Sequence, residues 1–200
     1  TLSIYTPSLY ILDGKMEKYA EMFDDNKSLT QAGREQGIRR LTAINLMKRM
    51  ESSVYSFNLT MSRIKDLIAK TINTIDTFDK QSSHQLELTD ITEITEFDGE
   101  DQNDDIFSFG KKVKIDLADM DYKSWRDELK ADAEVLELLT LMVADITPEY
   151  DTKLQTLFDL ISKKVENPIN EGNKKVLIFS AFSDTADYLY ENVSTFVKKK

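Results

Sequence analysis

The sequence predicts a mainly α-helical protein: an antiparallel bundle built on one long helix, with an acidic connecting loop and a C-terminal β-strand and α-helix that begin an α/β lobe. Three observations carry this. Apolar residues recur every three or four positions from Ile38 to Phe78; the period fails across an acidic stretch and returns in two shorter runs; Lys174 to Ser180 is a short aliphatic and β-branched run.

Residues 1 to 12 hold Ile4, Tyr5, Pro7, Tyr10 and Ile11 without a clean period, which reads as an extended lead-in with its partner upstream. Lys15 to Asp24 places Met16, Tyr19, Ala20 and Phe23 at helical spacing, a short helix ending near Asp25-Asn26. Next comes one apolar stripe on one helix, about 38 to 78: Ile38, Leu41, Met47, Met50, Val54, Phe57, Met61, Ile64, Ile68, Ile72, Ile75 and Phe78. Neither Pro nor Gly interrupts it, and Gly33 and Gly37 mark its start. Unbroken, it would extend about 60 Å at 1.5 Å per residue, the reach of a strut or a coiled-coil arm.

Residues 85 to 118 are expected to form the acidic loop. Glu87 to Asp105 holds nine acids and no base, and Ile106 to Ile115 alternates weakly enough to permit a small hairpin. Helical order returns over about 121 to 146 with Trp125, Leu129, Ala133, Leu136, Leu139, Val143 and Ile146, stopped by Thr147-Pro148. A further helix, about 150 to 165, carries Leu154, Leu157, Phe158, Ile161 and Val165. The polar run Asn167 to Gly172 is the best domain boundary, dividing a helical region (1–166) and a linker (167–173) from a second unit (174–200). Val176-Leu177-Ile178-Phe179 is apolar on both faces, as in a central parallel strand, and such a strand needs neighbours. The chain is accordingly expected to be part of a larger protein.

Composition narrows the chemistry. The absence of cysteine excludes disulfides, a thiol nucleophile and thiolate metal sites. His84, the single histidine, lies among Gln81, Ser82, Ser83 and Gln85, a solvated setting that gives no serine–histidine pair. No glycine belongs to the Gly-x4-Gly-Lys-Ser/Thr pattern that cradles phosphates. The acidic run Asp98 to Asp105 places its glycine second, where a calcium loop needs it sixth. No catalytic, cofactor-binding or metal-binding residue is assigned. No apolar run approaches the roughly 18 residues that span a bilayer, so no membrane partner is expected and a cytoplasmic location is. The net charge of −10 argues against nucleic acid, yet Arg34 to Lys70 holds eight bases against three acids. Such a stripe suits a phosphate backbone or the acidic stretch of its own chain.

Three blocks carry a resemblance. Lys174-Lys175-Val176-Leu177-Ile178-Phe179-Ser180-Ala181-Phe182-Ser183-Asp184-Thr185-Ala186-Asp187-Tyr188-Leu189 resembles the start of the second RecA-like lobe in bacterial Swi/Snf-type helicase-translocases of superfamily two, including their fourth helicase motif. Leu46 to Phe57, with Lys48-Arg49-Met50-Glu51-Ser52-Ser53, is similar to a block between the two lobes, although Met50 stands where leucine is expected. Asp151-Thr152-Lys153-Leu154 resembles the sequence leading into lobe two. The resemblance implies a helical region that couples two motor lobes in an ATP-dependent parent protein, with ATP and Mg bound there and none in this chain. The phosphate loop, the acidic magnesium motif and the arginine-bearing late motifs are absent, so this chain alone is expected to be inactive. Its implied partners are the remaining helicase lobes and DNA or RNA.

The candidate nucleic-acid contacts are Arg39, Lys48 and Arg49 on the basic stripe, with Ser180 and Thr185 in the lobe-two block. Lys48 and Arg49 equally suit a solvated helix face or pairing with Glu51 and the acidic loop, and a helix N-cap accounts for Ser183, Asp184 or Thr185. The alternative function is a helical scaffold or coiled-coil module without enzymatic activity, which predicts a dimer of the isolated chain.

Overall fold

The computed structural model describes residues 2–23, 31–81 and 115–199, and the protein is mainly helical. Six α-helices lie among the described residues: α1 (Met16–Phe23), α2 (Gln31–Ser52), α3 (Val54–Gln81), α4 (Tyr122–Val143), α5 (Thr152–Glu166) and α6 (Ser183–Lys198). The expected hairpin, His84 and most of the acidic loop lie outside the described residues.

The core forms where α3 and α4 run antiparallel. On α4, Trp125, Leu129, Leu136 and Val143 recur at helical spacing and are buried, and Phe57, Met61, Ile64, Ile68 and Ile75 line α3 in the same way. Fully burying each such side chain contributes roughly 1.5–3 kcal/mol. Arg126 pairs with Asp76 at 3.1 Å near one end, Lys65 pairs with Glu137 nearer the other, and Phe78 meets Tyr122 edge-on at 5.3 Å.

The N-terminal residues find their partner within the chain. They fold into short 3-10 turns (Ser3–Tyr5, Pro7–Tyr10 and Asp13–Lys15), which lack the 3.6-residue period and so leave no helical stripe to read. Ser3 donates from N and Oγ to Asp132 on α4 at 2.5 and 2.7 Å, and Ser8 donates from N and Oγ to Glu35 on α2 at 3.3 and 2.6 Å. Ile4 and Tyr5 are buried by this bridging. Ile11 pairs as an isolated antiparallel bridge with Met120.

Three expectations need correction. The long helix is two helices, broken at Ser53. The acidic loop stops short of residue 118, because Ile115 and Leu117 are buried core residues. Residues 174 to 180 form no strand: with no neighbouring strand to complete a ladder, the run lies exposed, with Leu177 and Phe179 at 83% and 89%. Before it, Gly172 takes a left-handed φ of 71°, a conformation that glycine adopts without penalty. Beyond it, α6 docks on α3 and α5, where Phe158 and Phe196 stack at 4.2 Å. Among the described residues no helix is long and apolar enough to cross a membrane.

Candidate functional site at the break between two helices

The break at Ser53 is the meeting point of three distant segments. Arg49 on the last turn of α2 is buried, and its Nη1 donates to Asp184 Oδ2 at 2.9 Å and to Ser56 Oγ at 3.2 Å. Its guanidinium lies 4.8 Å from the centre of the Phe182 ring, a cation–π contact. Arg63, on α3, donates to the same Asp184 oxygen at 3.2 Å. Asp184 stands in the first turn of α6, where a carboxylate also complements the helix dipole.

Next to this pair is a hydroxyl cluster. Thr185 Oγ1 lies 2.9 Å from Ser52 Oγ and 3.1 Å from Ser53 Oγ, and Ser53 Oγ accepts the Ser56 N–H at 3.0 Å. Lys153, at the start of α5, donates to the carbonyls of Glu51 and Ser52, the latter at 3.3 Å.

Asp151 completes the ring of contacts. As N-cap of α5, it accepts the Leu154 N–H at 3.0 Å, while its other oxygen accepts the Tyr188 hydroxyl at 3.0 Å. Burial first, and then the Asp151 carboxylate, pushes the Tyr188 phenol well above its ordinary value, so it remains a donor. Tyr188 also stacks on Tyr55 of α3 with ring centres 5.0 Å apart. A cavity of about 330 Å³ opens here, lined by Ser52, Ser53, Lys153, Ser180, Thr185 and Tyr188 among others.

The structure thus draws two of the sequence-predicted residues, Arg49 and Thr185, into one internal network. Thr185 is buried against hydroxyls rather than open to a ligand. Ser180 is exposed on the cavity rim, where its Oγ accepts the Phe182 N–H at 3.2 Å. Lys48 is exposed and outside the cluster, and Arg39 is half-buried farther along α2. The N-cap of α6 is Phe182, without a side-chain cap. Sequence reasoning did not assign Asp151, Lys153, Asp184, Tyr188 or Arg63 to the site. Four of these sit inside the resembling blocks, the one signal that pointed to them.

Among the described residues no group of three or more His, Asp or Glu converges as a metal site would require. Of the described glycines, Gly14 lies in a 3-10 turn, Gly33 and Gly37 inside α2 and Gly172 in the linker, and none belongs to a Gly-x4-Gly-Lys-Ser/Thr phosphate cradle. Arg49 and Arg63 both pair with the one carboxylate of Asp184, and the hydroxyls pair among themselves. Chemically, the arrangement is a clamp. Comparison with protein-family models, with curated proteins and with solved structures finds no match.

Proposed function

We propose that this chain is the helical region between the two lobes of an ATP-dependent superfamily-two helicase-translocase, together with the beginning of its second lobe. One observation supports the reading above the others: the three blocks that carry the resemblance converge. Arg49 reaches Asp184, Ser52 and Ser53 reach Thr185, Lys153 reaches Ser52, and Tyr188 reaches Asp151. A motor that moves two lobes needs a rigid joint between the inter-lobe helices and the lobe they steer. On this reading residues 174–180 become a strand when the rest of the lobe flanks them. Lys48, Arg39 and Ser180 contact the nucleic-acid backbone, while Arg49 and Thr185 transmit force.

The test is ATP turnover with and without nucleic acid. The isolated chain should hydrolyse no ATP. The complete protein should, and Asp184→Ala should lower its nucleic-acid-stimulated rate with little change in KM for ATP. Absence of turnover in the complete protein sinks the proposal.

A second reading, a helical interaction module, is favoured by α4. Its Val135, Leu138 and Met142 are 56%, 59% and 71% exposed and lie along one helix face adjoining the buried one. Sedimentation separates the readings: a concentration-dependent dimer lost in Leu138→Glu favours the module.

A further inference from the structure

Between Val135 and Val143 only Glu137 and Thr140 interrupt the apolar residues, so this half of α4 is apolar nearly all round, the pattern of a helix covered on more than one side. Leu136 and Val143 face the core, whereas Val135, Leu138 and Met142, spaced i, i+3, i+7, are 56%, 59% and 71% exposed. The exposed stripe has an acidic rim. Residues 131–152 hold six acids and no base, and two of the acids, Glu134 and Asp145, stand exposed at the two ends of the stripe.

The converse surface is on α2, where residues 36–50 hold four bases and no acid. The inner side of α2 is held on the core by the Ser8–Glu35 bonds and by packing on α3 and the N-terminal turns. On its outer side Ile44, Met47 and Met50 are 42%, 69% and 48% exposed, with Arg40 and Lys48 exposed beside them and Glu51 the one exposed acid at the end of the stripe. Each stripe extends about 10 Å along its helix at 1.5 Å per residue, so the two match in length. Their methionines are flexible enough to conform to an opposing helix.

We propose that the α4 stripe docks α2 of a second copy of this chain, which rests on the reading of the chain as a helical interaction module and names that module's partner. Met47 of one copy packs against Leu138 and Met142 of the other, and Arg40 and Lys48 meet Glu134 and Asp145. The pairing cannot form within one copy, because α2 and α4 are both held on α3 with these stripes outward. Apolar burial supplies the affinity. The rim charges supply the choice of partner: two α4 stripes facing each other would set acids against acids, whereas α2 brings bases. Each copy offers both surfaces, so two such contacts close into a dimer when a two-fold axis relates them.

Sedimentation of the 200-residue chain should show concentration-dependent association. Arg40→Glu with Lys48→Glu reverses the α2 surface, and Glu134→Lys with Asp145→Lys reverses the α4 surface. All four positions are exposed, so helical ellipticity should be retained in both variants. Each variant alone should associate about tenfold more weakly, and an equal mixture of the two should regain the original association, because opposite charges then face each other at both contacts. The chain has no cysteine, so Met47→Cys and Leu138→Cys each introduce a unique thiol, and on mild oxidation their mixture should form a disulfide-linked dimer faster than either variant alone. Faster linking of Leu138→Cys with itself overturns the proposal and leaves the module reading standing, with α4 as its own partner. Association unchanged in both reversed variants, or not regained on mixing, also overturns it, since the contact would then lie elsewhere. A chain that stays monomeric at every concentration overturns both the proposal and the module reading.

Discussion

Arg49 and Asp184 lie 135 residues apart in sequence, yet their charged groups meet at 2.9 Å with the side chains only 4% and 16% exposed. Water is excluded from the arginine, and the aspartate carboxylate faces its guanidinium directly. Asp184→Ala should remove a carboxylate that faces both the buried Arg49 and Arg63, which is 29% exposed. Removing one partner of a buried pair typically costs about 3–5 kcal/mol, and the lower end is expected here because Asp184 is partly wetted. Urea unfolding should show a lower midpoint at unchanged slope. A loss below about 1 kcal/mol, the scale of an ordinary surface change, would mean that the pair is not needed for docking α6.

Asp119 gives the fold an acid limit. Lys18 donates to it at 2.5 Å, Tyr19 at 2.7 Å, and Lys15 stands 3.1 Å away; Lys18 foremost, then Tyr19, holds the carboxyl down from its ordinary 3.8 to about 2. The folded value lies below the unfolded one. The stabilisation is therefore full above the ordinary value and drains away as pH falls through the folded value. Thermal midpoints should drop between about pH 4 and pH 2, and Asp119→Asn should lower the midpoint at neutral pH while flattening that drop. Parallel acid profiles in the two proteins would show that Asp119 is not the group responsible.

Trp125 offers a direct optical report on the core. It is the single tryptophan, it is fully buried, and its Nε1–H donates to the Ser3 carbonyl at 3.2 Å. Trp125→Ala should cost about 3–5 kcal/mol through the cavity it leaves. Trp125→Phe should cost less, because the Ser3 carbonyl also accepts the Thr6 N–H at 3.1 Å and is not orphaned. Native emission should be blue-shifted and move red on unfolding. A solvent-like native spectrum would contradict the N-terminal turns closing over α4.

What the sequence made legible follows the range of the forces involved. The helices near 121–146 and 150–165 were readable because a strong apolar period ends at Thr147-Pro148 and Asn167-Pro168, and the observed α4 and α5 match them within a few residues. The break at Ser53 was not readable. Ser53 caps α3 by accepting the Ser56 N–H, a local signal that the continuous apolar stripe masks, and the groups that pack on it, the ammonium of Lys153 and the hydroxyl of Thr185, are each more than a hundred positions away in sequence. For the same reason Arg49 and Thr185 could be picked out as chemically notable while their partners stayed hidden. A local pattern shows that a cation stands on a helix, but only the packed structure shows which anion faces it.

The same distinction decides how the basic stripe should bind a polyanion. Lys48 is exposed, and Arg39 is half-buried on the same helix, whereas Arg49 is committed to Asp184. Each phosphate contact that an arginine or lysine makes contributes about 0.9 to the slope of log affinity against log salt on duplex DNA. Lys48→Gln and Arg39→Gln should therefore each lower that slope by nearly one, weakening binding to all sequences alike. Arg49→Gln should leave the slope unchanged and instead reduce thermal stability, because its charge serves the clamp. Fluorescence anisotropy on a short duplex at several salt concentrations separates these effects. If Arg49→Gln lowers the slope as much as Lys48→Gln, the clamp opens on nucleic acid and Arg49 transfers from Asp184 to phosphate. If neither Lys48→Gln nor Arg39→Gln alters it, the basic stripe is not a nucleic-acid surface.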